Sequence, residues 1–214
     1  MYLPRHFRED RIEVLHQTMR ILGAATLVGV GPEGMFGTHV PLMLDAEPAP
    51  LGRLCCHVAR SNPQGAALRS ASEVMVVYQG PQRYISPAWY PAKLESGKVV
   101  PTWNYVTIHA YGTARVIDDP EWLLRHVSEL TDWHERNTPE PWKVSDAPPE
   151  YIAGLCKAIA GIEITLTRIE GKWKVSQNRT DADRKGVVAG LRAKGDAASL
   201  VMADLVAQAP REGD

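Results

Sequence analysis

The stretch Ala24-Ala25-Thr26-Leu27-Val28-Gly29-Val30-Gly31-Pro32-Glu33-Gly34-Met35-Phe36-Gly37-Thr38-His39-Val40-Pro41-Leu42 decides the fold class. Gly29 to Gly34 matches the spacing G-x-G-x-x-G, in which glycines let a dinucleotide pyrophosphate approach a helix N-terminus. That chemistry needs a helix directly after the glycines. Gly37 and Pro41 break one, and residues 36–45 alternate instead of repeating every three or four. The stretch therefore reads as a hairpin: a strand over 24–30, a turn at 31–34 and a return strand. A hairpin here points away from a doubly wound parallel sheet.

The same tests extend outward. Ile12, Leu15, Met19 and Leu22 predict a helix over residues 6–22. Residues 51–58 read as a strand. Asn62-Pro63 supplies a cap and a first-turn proline for a short helix over 63–70. Residues 72–79 read as a strand ending at Gly80-Pro81. Residues 80–101, with four prolines, read as an ordered loop with a short strand near Tyr84. A long strand with a bulge at Gly112 is predicted for 102–117. Asp119-Pro120-Glu121 opens a helix to about 136, and a Pro-rich connector leads to another at 150–158. Residues 161–176 read as a strand pair or one long strand, and helices at 181–193 and 197–208 follow. Consecutive strands joined by short turns predict an α+β, mainly β fold. It is an antiparallel sheet or barrel in a single domain over 1–214, with helical additions at about 119–158 and 181–208.

Composition excludes several classes. Lys plus Arg is 24 against 25 for Asp plus Glu, so there is no global field for nucleic acid or anionic lipid. No apolar run reaches a membrane span. The first ten residues carry acids and no apolar core, which predicts neither a signal peptide nor a lipidation site. Three cysteines, two of them adjacent, make no disulfide framework and predict a reduced, cytoplasmic protein. Cys55-Cys56-His57 cannot hold one ion, because neighbours on a strand face opposite ways; no metal site is predicted. The helices around Gly195 could be drawn as a helix-turn-helix. The second, Ala197 to Leu205, has no Arg, Lys, Asn or Gln to read bases and carries Asp204, which argues against direct DNA binding.

Unusual polar and aromatic residues gather at predicted strand ends. Arg60 or Lys93 can hold a phosphate, Arg through a bidentate fork. The helix start at Asn62 offers backbone N–H groups to the same anion. Trp89, Tyr90, Trp103 and Tyr105 can wall in a flat ring. Asn104, Gln177 and Asn178 each offer donor and acceptor to an imide-type ring edge. Each residue has an ordinary structural use as well: Arg60 in a surface ion pair, His39 and His57 as satisfied histidines, Trp89 and Trp103 in the core, Ser86-Pro87 as a turn. Co-occurrence is what makes the set a candidate site.

Four strings, HVARSNP (57–63), YISPAWY (84–90), VPTWNY (100–105) and KVSQNR (174–179), resemble the PaiB-type family of FMN-binding proteins, often called negative transcriptional regulators. The resemblance runs from MYLPRHF to about residue 205. It implies an antiparallel split β-barrel of the pyridoxamine-phosphate-oxidase type, a homodimer, and FMN held by residues of both chains. By position it implies Arg60 at the flavin phosphate, Trp103, Asn104 and Thr107 near the ring, and Gln177, Asn178 and Arg179 in a closing segment. The remaining candidates for cofactor contact are His39, Asn62, Ser86, Trp89, Tyr90 and Lys93. The expected role is a regulator or flavin redox sensor. The alternatives are a flavin-dependent oxidoreductase on a small substrate, or a haem-handling protein using His39, His57 or His109.

Overall fold

The computed structural model describes residues 1–69 and 72–209. Its strands are β1 (Arg8–Glu9), β2 (Ala24–Gly31), β3 (Gly34–Pro41), β4 (Met43–Asp45), β5 (Arg53–Ala59), β6 (Ser72–Ile85), β7 (Thr102–Ile117) and β8 (Ile159–Lys174). Its helices are α1 (Ile12–Leu22), α2 (Pro63–Ala67), α3 (Ala92–Glu95), α4 (Pro120–Glu135), α5 (Pro149–Lys157), α6 (Asp181–Lys194) and α7 (Ala197–Gln208). The strand order is β3-β2-β6-β7-β8-β5-β4, with β1 also on β8. The pairings of β2 with β3 and β6, β5 with β4 and β8, and β1 with β8 are all antiparallel.

The glycine-rich stretch is the hairpin its alternation predicts. β2 and β3 pair from Ala24↔Pro41 to Gly31↔Gly34. Gly34 sits at φ 107°, a conformation that only glycine adopts without strain.

The chain divides into two compact units. A terminal unit comprises Met1–Arg11, Gln79–Ile108 and Glu170–Asp214; a central unit comprises Ile12–Tyr78 and His109–Ile169. The central unit buries alternate residues of its strands, such as Leu27 of β2, Leu54, Cys56 and Val58 of β5, and Ile162 and Ile164 of β8. Leu15 and Met19 of α1 and Leu123 of α4 are also buried. The core of the terminal unit is Ile85, Tyr90, Val106, Val175, Val187, Leu191, Met202, Ala203 and Val206. Each such side chain contributes about 1.5–3 kcal/mol by leaving water. Met202, Ala203 and Val206 of α7 thus belong to a packed face.

Several boundaries differ from the sequence-based expectation. Helix α1 starts at Ile12, not residue 6, because Arg8 and Glu9 pair with Lys172 and Gly171 of β8. β6 runs on to Ile85, past Gly80-Pro81. A Cβ at Gly80 would stand 3.0 Å from Val106 Cβ, so this glycine serves close strand approach. The alternation of β7 passes through Gly112 unbroken and shifts only at Arg115–Ile117. Gly112 answers a packing need: a Cβ there would lie 2.3 Å from the Thr165 carbonyl oxygen. β8 is one continuous strand.

Candidate functional site

In the central unit, β5 delivers Arg60 at its end. The guanidinium donates to the carbonyls of Lys157 (3.0 Å) and Ile159 (2.9 Å) and to the Asp118 carboxylate. Arg69 donates to the same carboxylate at 2.6 Å. The two arginines hold Asp118 well below the usual carboxylate range, at about 2. Two guanidinium groups share one carboxylate, so the cluster is net positive. Two residues on, the Asn62 side chain accepts from Gln64 N–H (2.9 Å) and caps α2. Its amide reaches Thr38 Oγ1 at 3.4 Å, tying the start of α2 to β3. His39, exposed on β3, faces Thr26 Oγ1 at 3.2 Å.

Arg60 and Asp118 also line a cavity of about 790 Å³ walled by Leu123, Leu124, Val144, Ile152 and Ala153. That volume suits a small ligand. No amide side chain lines it to meet an imide edge.

In the terminal unit, residues of three of the four strings come together. Asn104, 1% exposed, donates to Ser176 Oγ at 2.8 Å. Ser176 is at φ 67°, the non-glycine residue with positive φ among the described residues. Left-handed backbone costs such a residue about 1–2 kcal/mol, and strain of this kind gathers at ligand sites. Gln177 clamps the bend: its Oε1 accepts from Val175 N–H (2.9 Å) and its Nε2 donates to the Trp173 carbonyl (2.6 Å). Both polar ends of Gln177 are thus used locally, whereas Asn178 is exposed. Trp103 is 52% exposed and meets Tyr84 edge-on, with ring centres 6.2 Å apart. Lys174 donates to Thr102 Oγ1 and the Trp103 carbonyl. Arg179 lies over the Tyr90 ring, 4.8 Å from its centre.

Other candidates have structural work. Ser86 Oγ accepts from Ala88 N–H. Tyr90 is buried in the core. Trp89 is laid against α6: a Cβ on Gly186 would stand 1.9 Å from its carbonyl oxygen, and one on Gly190 2.3 Å from its indole. Lys93 is exposed on α3. Thr107 lies half-buried on β7.

Sequence reasoning missed a pair of histidines in the central unit, His126 buried and His57 half-buried. His57 Nδ1 and His126 Nε2 lie 3.2 Å apart, and the Trp122 ring stacks on His126 with centres 5.0 Å apart. Burial, then the neighbouring His57, pulls His126 down to about 4, and burial lowers His57 as well. The signal was present: Leu123 and His126 share the buried face of α4.

Residues 1–168 match the family described as "Putative FMN-binding domain". The chain belongs to this FMN-binding family. An uncharacterized protein of Emericella nidulans is 35% identical, and the protease synthase and sporulation protein PAI 2 of Bacillus subtilis is 28% identical. Each alignment covers 96% of this chain and 96% of the relative. Among solved structures, the FAD and heme binding protein of Mycobacterium smegmatis superposes with a TM-score of 0.58 at 15% identity, covering 86% of this chain and 80% of that one. The flavocytochrome Anf3 of Azotobacter vinelandii gives 0.56 at 14%, covering 83% and 72%. The fold of this PaiB-type member is the antiparallel split β-barrel, and FMN is its family cofactor. Taken unit by unit, the residues have chemistry that fits parts of that group: the net-positive arginine cluster of the central unit suits a phosphate, and, in the terminal unit, the half-exposed indole beside Tyr84 suits a flat ring. No helix among the described residues is long and apolar enough to cross a membrane.

Proposed function

We propose that this PaiB-type protein is a homodimeric regulator or flavin redox sensor. FMN supplies the redox chemistry when bound. In the central unit, Arg60 and the capped start of α2 at Asn62 would bind the phosphate, with His39 and Thr38 on the neighbouring strand. In the terminal unit, Trp103, Asn104 and Thr107 of β7 would orient a ring. The Asn104–Ser176 bond would hold the segment Gln177-Asn178-Arg179 in place. The observation that carries the reading is the buried Asn104–Ser176 bond together with the Gln177 clamp on Val175 and Trp173, which fix a strained bend beside exposed Asn178 and half-exposed Trp103. Strain maintained by buried hydrogen bonds has no evident structural return here, and it is what a binding segment needs.

Regulation through flavin state or a partner is favoured over direct base reading, because α7 gives Met202, Ala203 and Val206 to the core. The name of the Bacillus relative associates that protein with protease synthesis and sporulation. The test is the visible spectrum of protein incubated with FMN and desalted, beside Arg60→Ala and Asn104→Leu. Retained flavin bands that weaken in the variants support the reading, and no retained flavin in wild type overturns it. Sedimentation of oxidised and dithionite-reduced protein then tests the dimer and a redox-linked change.

A flavin-dependent oxidoreductase is the second reading, favoured by the half-exposed Trp103 face, which leaves room for a reactant. NAD(P)H oxidation above the rate of free FMN would support it.

A further inference from the structure

Strand β8 carries two ammonium groups on one face, Lys172 and Lys174. Lys172 is 7% exposed, and its Nζ donates to the Tyr2 carbonyl at 3.0 Å. An ammonium has three donors. Two π faces lie near it as well: Tyr2 at 5.6 Å and Tyr105 at 5.4 Å from ring centre. Lys174 Nζ lies 5.8 Å from the centre of the same Tyr105 ring. Burial lowers the pKa of Lys174, and so do the charges of Lys172 and Arg179. Lys172 and Arg179 thus each lie within electrostatic reach of Lys174. Among the described residues, none of the three has a carboxylate within ion-pair distance. Two acids of this unit have other partners. Glu170 pairs with the Met1 amine, and Asp183 accepts from Ala92 N–H.

A buried ammonium without a counter-charge is costly, and a second cation beside it raises the cost. Aromatic faces offset only part of it, about 0.5–2 kcal/mol each. Lys174 and Arg179, both half-exposed, provide the open side. We infer that Lys172, Lys174 and Arg179 form a binding site for a phosphate dianion carried by a second ligand, a phosphorylated small molecule that meets the FMN-loaded protein. A dianion matches this charge better than a monocarboxylate, and the guanidinium can grip it in a fork. Lys172 and Lys174 are not among the residues proposed for FMN, whereas Arg179 belongs to the segment proposed to close over it, so the inference rests on that reading for Arg179 alone.

The experiment is a ³¹P NMR titration of FMN-loaded protein with inorganic phosphate. It is repeated on protein as purified, so that failure to hold FMN is read separately. Saturable broadening is expected, with affinity at least about tenfold weaker in Lys174→Met. FMN retention should be unchanged in Lys172→Met, whose side chain lies outside the residues proposed for FMN. Phosphate should also raise the Tm of wild type but not of Lys172→Met, a variant that removes a buried charge and keeps the volume. Absence of saturable binding, or binding unchanged in both variants, overturns the inference. So does loss of FMN retention in Lys174→Met with riboflavin retention intact, which would assign the cluster to the phosphate of FMN itself.

Discussion

The indole of Trp89 lies directly over Gly190 of α6, so close that a Cβ on the glycine would stand 2.3 Å from the ring. A glycine inside a helix ordinarily costs about 1 kcal/mol relative to alanine. Here it is required. Gly190→Ala should destabilise by about 1–3 kcal/mol despite its better helix propensity, through overpacking. Urea denaturation checks this, and Trp89→Leu in the same chain should recover part of the loss. A stabilised Gly190→Ala would show that the contact relaxes freely.

Asp118 tests what Arg60 is for. Its carboxylate accepts from Arg60 and Arg69. If Arg60 grips the FMN phosphate, Asp118→Asn removes a competing anion, and FMN should bind several-fold more tightly in a fluorescence-quenching titration. An unchanged Kd would mark Arg60 as a structural residue only. The pair is exposed, so stability should change little.

The paired histidines His57 and His126 predict a pH dependence with a defined sign. Both rings have depressed pKa values in the folded protein, His126 at about 4. For a base lowered from 6.5, the unfolded chain takes up the proton first. Stability is therefore complete above about pH 6.5 and falls as pH drops towards 4, by about 1.4 kcal/mol per unit for each proton. Urea midpoints at pH 7, 6 and 5 should show this slope. His126→Phe, which keeps a ring against Trp122, should flatten it.

Asn104→Leu should cost about 1–3 kcal/mol, because it leaves the buried Ser176 hydroxyl without its donor. Hydrogen exchange should quicken selectively at residues 175–179. Ser176→Gly should keep the bend while losing the bond. A uniform change in exchange across the chain would count against a local role.

The sequence was most legible where its signal is local. The β2–β3 hairpin follows from alternation and two chain-breaking residues. Helices α4, α6 and α7 follow from caps at Asp119, Thr180 and Asp196. The errors share one cause, long-range pairing. Residues 8–9 look helical until β8 is available to them, and Gly80-Pro81 looks like a turn until Val106 is placed beside it. Trp89 stood out as an aromatic, but its glycine cradle on α6 lies about 100 residues away. The same holds for Lys172 and Lys174, which are ordinary charges in the sequence. Only the absence of a nearby acid in three dimensions makes them informative.

The strand that carries those lysines also imposes an order on events. Tyr2 and Lys172 are 170 residues apart in the chain, and β1 pairs with the same stretch of β8. During synthesis the first residues emerge long before their partner strand exists. Nascent chains at 5–20 residues per second would keep that segment waiting for roughly ten seconds or more. The central unit, by contrast, lacks only its stretch of β8 once α5 has been made. Closure of the terminal unit is therefore a late step, a place where a chaperone or an arriving ligand can act on an otherwise assembled protein.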